Sequence, residues 1–190
     1  MLKVNTQMRF AFFSFLTVVL TACASNGTAN NMNMASSKRY SHSVSESHAN
    51  YASRLPSSIN TNGRKTIIVD PRLHVWGAYN ADGSLEKSGL ATAGSGWCSD
   101  IHRSCRTAVG TFSIQSLGGA GCKSTRYPVG RGGAPMPYCM YFNKNMALHG
   151  SNEVVEGNIS HGCVRLHVYD AQWIRENFAS IGTKVVIRPY

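Results

Sequence analysis

One cysteine of this sequence lies in a setting suited to nucleophilic chemistry. Cys163 belongs to the run Ser160-His161-Gly162-Cys163-Val164-Arg165-Leu166, and His149-Gly150 lies a short way upstream. A thiol with a pKa of about 8.5 is only slightly ionised at neutral pH. It needs a nearby histidine to accept its proton or to hold it as a thiolate–imidazolium pair. The pattern therefore predicts Cys163 as a nucleophile served by a histidine.

The same residues predict distinct roles for the backbone and for the two histidines. Gly162 lacks a side chain, so the amides of Gly162 and Cys163 can approach a substrate carbonyl closely and form an oxyanion hole. We expect His149 to arrive from a separate strand and to face the thiol as general base. His161 is only two residues before Cys163, and we assign it to shaping the site or stabilising charge.

Four neighbours are candidates for substrate binding, and each has a structural alternative. Ser160 can contact substrate or form a hydrogen bond within a turn. Arg165 can hold a carboxylate through its planar guanidinium group or pair with Asp170. Tyr138 and Tyr141 lie just upstream of the first histidine and can contact substrate or pack in a sheet.

The N-terminal segment predicts export and a lipid anchor. Residues 1–22 carry Lys3 and Arg9 before an apolar stretch too short for a comfortable membrane span, as in a secretory signal. Leu20-Thr21-Ala22-Cys23 resembles the lipobox of bacterial lipoproteins, which implies cleavage before Cys23 and lipidation of its thiol. No aspartate follows Cys23, so we expect a periplasmic protein anchored to the outer rather than the inner membrane. An ordinary secretory signal is the alternative.

The remaining chain divides into a tether and one domain. Residues 23–64 are rich in Ser, Asn, Ala and Thr and poor in apolar residues, which predicts a disordered tether. Residues 65–190 suffice for one domain. The formal net charge is +10, but the signal and tether supply much of it. Clustered Lys and Arg with interleaved aromatics are not evident, so we expect no nucleic-acid partner. The excess charge fits an anionic cell-envelope polymer or a generally soluble surface.

Four cysteines remain once Cys23 is lipidated and Cys163 is free. They are Cys98, Cys105, Cys122 and Cys139, and an even number in an exported domain predicts disulfides. Three pairings are possible. We favour Cys98 with Cys105 and Cys122 with Cys139, because each pair closes a short loop rich in small residues. A four-cysteine zinc site is the alternative, although paired C-x-x-C spacings are lacking.

Short β-branched and alternating runs predict the strands that must position these residues. They cover residues 66–69, 73–79, 84–92, 110–114, 138–142, 146–148 and 184–187. The glycine-rich segment 118–133 predicts a loop beside the cleft. Asp170 can cap a helix whose Ala171, Ile174 and Phe178 share one face. The segments indicate a mainly β domain, an antiparallel sheet or sandwich with one helix near the C-terminus packed on it.

The sequence resembles the L,D-transpeptidase catalytic domain family (YkuD-type). The similarity rests on His149-Gly150, the run from Ser160 to Leu166, Asp170 with its helix, and upstream stretches 67–70 and 107–112. The resemblance implies a mixed, mainly β fold and catalysis without a cofactor or metal. It also assigns His149 as base, with the backbone carbonyl of Gly150 orienting its ring. A zinc site made of His149, His161 and Cys163 is the rival arrangement.

The resemblance further implies peptidoglycan stem peptides as substrates. Cys163 would attack the carbonyl between the third stem residue, commonly diaminopimelate, and the terminal D-alanine, and D-alanine would leave. A second stem would then give a 3-3 cross-link, a lysine of an envelope protein would give anchoring, and water would make the protein a carboxypeptidase. A non-catalytic lipoprotein that binds peptidoglycan is the remaining alternative.

Overall fold

The computed structural model describes residues 50–190. The predicted signal peptide and the lipidation site Cys23 lie outside the described residues. Nine strands form one sheet: β1 Thr66–Asp70, β2 Val75–Tyr79, β3 Leu85–Thr92, β4 Gly110–Ser113, β5 Ser116–Leu117, β6 Met140–Asn143, β7 Met146–Ser151, β8 Val164–His167 and β9 Lys184–Ile187. No helix within the described range is long and apolar enough to cross a membrane.

The sheet is mixed and strongly curled. Its strand order is β4-β9-β1-β2-β3-β8-β7-β6-β5. Most neighbours are antiparallel, as predicted, but β1 pairs with β9 and β7 pairs with β8 in parallel. Phe112 of β4 and Phe142 of β6 lie near opposite ends of this order, yet their ring centroids are 5.5 Å apart. The curled sheet therefore encloses its own apolar core, as expected for a mainly β domain.

One helix packs on the sheet, with a start that differs from the prediction. Helix α1, Val168–Trp173, continues as a π-helical turn, Ile174–Phe178, and the predicted apolar face is buried. The N-cap is His167 rather than Asp170, and it makes no side-chain cap bond. Asp170 lies in the first turn, where a carboxylate is favoured by the helix dipole. It is fully buried and pairs with Lys87 at 3.2 Å.

Residues 50–64, assigned to the tether from composition, pack against the sheet instead. Leu55 is buried, and Tyr79 Oη donates a hydrogen bond to the Pro56 carbonyl at 2.8 Å. The Ile59 amide donates to the Gly83 carbonyl at 3.0 Å. This segment covers the β2–β3 hairpin with an apolar side chain and backbone hydrogen bonds, so the ordered unit extends upstream of residue 65.

Candidate active site

The parallel pairing of β7 with β8 brings the predicted base and nucleophile together. His149 lies opposite Arg165 in the register, and Cys163 immediately precedes β8. Side chains alternate along a strand, so residues two apart share a face. His149, Cys163 and Arg165 accordingly line one cavity of about 720 Å³. Parallel strands require a crossover connection, and here residues 152–163 form it and end in the cysteine run.

The ring of His149 is oriented by a backbone carbonyl. Its Nδ1 lies 2.9 Å from the Gly150 carbonyl oxygen, which can only accept, so Nδ1 carries the proton and Nε2 is the basic nitrogen. Burial lowers the pKa of His149 to about 4; the hydrogen bond to Gly150 opposes this shift and the charge of Arg165 adds to it. His149 is therefore neutral at neutral pH and able to accept a proton.

Cys163 is the only free cysteine among the described residues. It is partly exposed at the cavity wall, but the protein packed around the sulfur raises the pKa of the thiol. A backbone hydrogen bond from Ala147 and the charge of Arg165 act in the opposite direction. The thiol lies 3.6 Å from the Asn145 carbonyl oxygen. The resting site thus pairs a neutral thiol with a neutral imidazole.

Ser160 closes the turn that leads into Cys163. Its hydroxyl accepts a hydrogen bond from the Gly162 amide at 3.1 Å and donates one to the Cys163 carbonyl. The turn alternative for Ser160 is therefore the one observed, and its hydroxyl is not presented to a substrate. The Gly162 amide, expected in the oxyanion hole, is already paired. Gly162 has φ +122°, a conformation that side chains rarely adopt, which explains the glycine.

The turn is held in place by residues 93–95. The Ser160 amide donates to the Ala93 carbonyl at 3.0 Å, and the Ser95 amide donates to the Ser160 carbonyl at 2.8 Å. Between them Gly94 passes so close to the chain that a Cβ would lie 2.0 Å from the Cys105 carbonyl oxygen. Both favoured disulfides are formed. Cys98–Cys105 lies next to this segment, and Cys122–Cys139 lies at the glycine-rich loop.

His161 is paired with a carboxylate that sequence reasoning missed. Its Nε2 lies 2.8 Å and 3.0 Å from the two oxygens of Asp100, and its ring centroid is 4.7 Å from that of Tyr127. Asp100 is the only acidic residue in the loop closed by Cys98–Cys105. Nothing in the local pattern announces this contact, because the two residues are 61 positions apart.

Arg165 has a different partner from the one considered in the sequence. Its Nη1 donates to Glu153 Oε2 at 2.9 Å, whereas Asp170 pairs with Lys87. Glu153 was not singled out by the sequence, because its charge lies in an irregular crossover without a motif. Tyr141 lines the cavity, whereas Tyr138 packs against the core. Of the two tyrosines, only Tyr141 therefore stays a candidate for substrate contact.

The predicted glycine-rich loop does form a wall of the cavity. Its contribution extends beyond residue 133 and includes Ser124, Thr125, Arg126, Tyr127, Ala134, Pro135, Met136 and Pro137. The zinc arrangement of His149, His161 and Cys163 is not formed within residues 50–190. There, only Cys98, Cys105 and His161 bring three ligand atoms within 4.8 Å of one another, and both sulfurs belong to a disulfide.

Several solved structures of L,D-transpeptidases share this fold. A structure from Xylanimonas cellulosilytica is 21% identical with a TM-score of 0.59, covering 70% of this chain and 64% of its own. One from Stackebrandtia nassauensis is 23% identical with a TM-score of 0.55, covering 70% and 60%. One from Mycobacterium tuberculosis is 18% identical with a TM-score of 0.53, covering 66% and 58%. The chain thus spans less than two thirds of each of these structures.

Sequence comparison defines the family. No curated protein is significantly similar to the chain. The model of the L,D-transpeptidase catalytic domain (YkuD) matches residues 64–187, most of the described chain and all nine strands. The match includes the cysteine run, the His149-Gly150 pair and the cavity between them. The chain therefore belongs to the L,D-transpeptidase catalytic domain family.

Proposed function

We propose that the chain is a peptidoglycan L,D-transpeptidase with Cys163 as its nucleophile. The observation that carries this proposal is the placement of His149 and Cys163 on one cavity, with the Gly150 carbonyl fixing the ring of the base. The family acts on peptidoglycan stem peptides. The acyl donor is a stem tetrapeptide, and the bond that breaks joins diaminopimelate to the terminal D-alanine.

The reaction follows from the neutral pair at the site. His149 Nε2 accepts the thiol proton as the sulfur of Cys163 attacks the scissile carbonyl. Collapse of the tetrahedral intermediate breaks the peptide bond, and the departing amine of D-alanine takes the proton from His149. A thioester then joins the stem to Cys163. An acceptor amine attacks this thioester and gives a proton to His149. The carbon–sulfur bond then breaks, and the departing sulfur takes that proton from His149 to restore the thiol.

The charges around the cavity support an anionic donor. Its lining contains the four cationic residues Arg103, Arg126, Lys144 and Arg165 but only one carboxylate, Glu153. Stem peptides carry several carboxylates, which such a lining attracts. The acceptor is an amine of a second stem or a lysine of an envelope protein. The site of action is the periplasm, with the lipid on Cys23 holding the domain near the wall.

The test incubates the full chain and its Cys163→Ala variant with tetrapeptide muropeptides, followed by mass spectrometry of the products. Release of D-alanine with joined stems, in the wild type alone, is the expected result. Release with free tripeptides alone would replace the transferase by a carboxypeptidase. Untouched substrate with reduced Cys163 would favour a non-catalytic lipoprotein that binds peptidoglycan.

A further inference from the structure

We propose that Glu153 is an internal carboxylate that occupies Arg165 until a carboxylate of the acyl donor replaces it. The inference rests on the proposed function and deepens it. Arg165 is then the subsite for the free carboxylate of the leaving residue, the terminal D-alanine. Glu153 competes for that subsite and so sets how tightly donors with this carboxylate bind.

Arg165 lies beside the proposed base and nucleophile in the sheet. It lies directly opposite His149 in the β7–β8 register and two residues after Cys163. Its positive charge lowers the pKa of both residues. A carboxylate held at Arg165 would therefore lie next to the bond that Cys163 attacks, where the leaving residue of a donor carries its terminal carboxylate.

Glu153, the partner of Arg165, is open to solvent. The Glu153 side chain is 76% exposed, whereas that of Arg165 is 18% exposed, and both line the cavity. Because the Glu153 side of this ion pair is open to water, its carboxylate gains little from the pairing over hydration, and another carboxylate can replace it. The observed pair uses Nη1 and one oxygen, at 2.9 Å. A substrate carboxylate that takes two parallel N–H groups of the guanidinium is the stronger partner.

The crossover that carries Glu153 is held by bonds that do not involve the Glu153 side chain. Thr92 Oγ1 donates to the Val155 carbonyl and accepts from the Val155 amide at 2.7 Å. Asn158 Nδ2 donates to the Pro71 carbonyl at 2.9 Å. These bonds hold the crossover to β3 and to the turn after β1 independently of the ion pair. The Glu153 side chain is thus a movable group on a fixed segment.

The test compares two alkylating reagents that differ in charge. Iodoacetate carries a carboxylate and iodoacetamide does not. In both reactions the Cys163 thiol loses its proton to solvent, the sulfur forms a bond to the methylene carbon, and iodide leaves. The full chain is labelled, and the rate at Cys163 is read from its peptide by mass spectrometry. Glu153→Gln should raise the iodoacetate-to-iodoacetamide rate ratio about two- to fivefold, the range of an exposed ion pair.

Glu156→Gln is the matched control, since Glu156 lies in the same crossover but pairs with Arg54 at 2.6 Å and does not line the cavity. It should leave the ratio unchanged. Arg165→Gln should lower the ratio. In the Arg165→Gln background, Glu153→Gln should no longer change the ratio. An unchanged ratio in Glu153→Gln, or an equal rise in Glu156→Gln, would overturn the proposal.

A second measurement separates this inference from the proposed function. Calorimetry with the Cys163→Ala full chain compares a stem tetrapeptide with the same peptide carrying a C-terminal amide. The carboxylate form should bind more tightly, and adding Glu153→Gln should widen the difference about two- to fivefold. If Glu153→Gln changes the alkylation ratio but no stem peptide binds, the exchange of carboxylates at Arg165 stands. The proposed peptidoglycan substrate would then be refuted. Stem peptides that bind equally as acid and amide would refute the carboxylate subsite alone.

Discussion

His149 and Cys163 line one cavity as neutral groups, and the cause lies in their surroundings. Burial removes water from both side chains, which disfavours the imidazolium and the thiolate alike. The Arg165 charge disfavours the imidazolium further and favours the thiolate. These pKa shifts support the proposed transfer of the thiol proton during attack, rather than a preformed thiolate–imidazolium pair.

The first prediction concerns the pH dependence of turnover. His149 must be unprotonated to act as base, and burial lowers its pKa from 6.5 to about 4. We expect kcat/KM of the free enzyme to fall on the acid side only as the pH approaches about 4. The measurement is the pH profile of D-alanine release. An acid limb centred at the ordinary histidine value would contradict the neutral pair.

The second prediction concerns the identity of the base. His149→Gln removes the proton acceptor, and general base catalysis is typically worth roughly 10²- to 10⁴-fold, so kcat should fall by that amount. His167→Gln is the control, because His167 stacks on Tyr169 with centroids 5.3 Å apart and does not line the cavity. Equal losses in both variants would show that His149 acts only through folding.

The third prediction concerns Asp100. Asp100→Asn removes the charge that holds His161, and both side chains are partly exposed, so we expect kcat/KM to fall about two- to fivefold. Asp82→Asn is the control, since Asp82 accepts hydrogen bonds from Ser84 in a hairpin turn. Activity equal to that of wild type in Asp100→Asn would refute a supporting role for the pair.

At the scale of elements, the crossover between β7 and β8 builds the site. It begins after the strand that carries His149, the proposed base, and ends at Cys163, the proposed nucleophile. Its final turn is fixed by Ser160 and by the bridge to Gly94. Because the backbone at Gly162 has a positive φ, the turn requires glycine at this position as well as the Ser160 side chain.

The fourth prediction tests that dependence. Gly162→Ala should destabilise the domain by about 1–3 kcal/mol, because a side chain is strained at positive φ, although a Cβ would meet no atom closer than 3.6 Å. Gly157→Ala, in the same crossover, also has its nearest contact at 3.6 Å but lacks a positive φ. Urea unfolding compares the two. Equal stability of both variants would show that the turn does not constrain Gly162.

The sequence predicted these elements unevenly, for physical reasons. The alternation of apolar and polar residues and the β-branched runs identified most strands. Helical periodicity identified the buried face of α1 and of the π-helical turn that follows it. Both signals are local in sequence. The contacts of Asp100 and Glu153 and the parallel pairing of β7 with β8 depend on residues distant in sequence. Residues 50–64 were assigned to a tether from composition. Composition does not reveal that one leucine, Leu55, is buried where this segment covers the β2–β3 hairpin. The candidate catalytic pair, Cys163 and His149, could be proposed from the sequence because its residue types are unusual together, and the structure places both residues on one cavity.

At the scale of the whole molecule, burial of neutral His149 links folding to pH. Its folded pKa of about 4 lies below the unfolded value of 6.5, so the unfolded chain binds the proton first. The stabilisation is full above pH 6.5 and is lost as the pH falls towards 4.

The fifth prediction follows from this linkage. The free energy of unfolding should decrease by up to about 3 kcal/mol across that interval. Urea titrations at several pH values provide the measurement. In the His149→Gln variant residue 149 no longer titrates, so its free energy of unfolding should depend less steeply on pH. Identical slopes in both proteins would contradict the low pKa assigned to His149.

The central claim is that Cys163 carries the stem as a thioester, and intact-protein mass spectrometry tests it most directly. The full chain is mixed briefly with a stem tetrapeptide and quenched in acid, with Cys163→Ala in parallel. We predict an adduct equal to the stem without its D-alanine, located on Cys163, absent from the variant and discharged by an added amine acceptor. D-alanine release without any acyl adduct on Cys163, or release by the variant, would contradict the account.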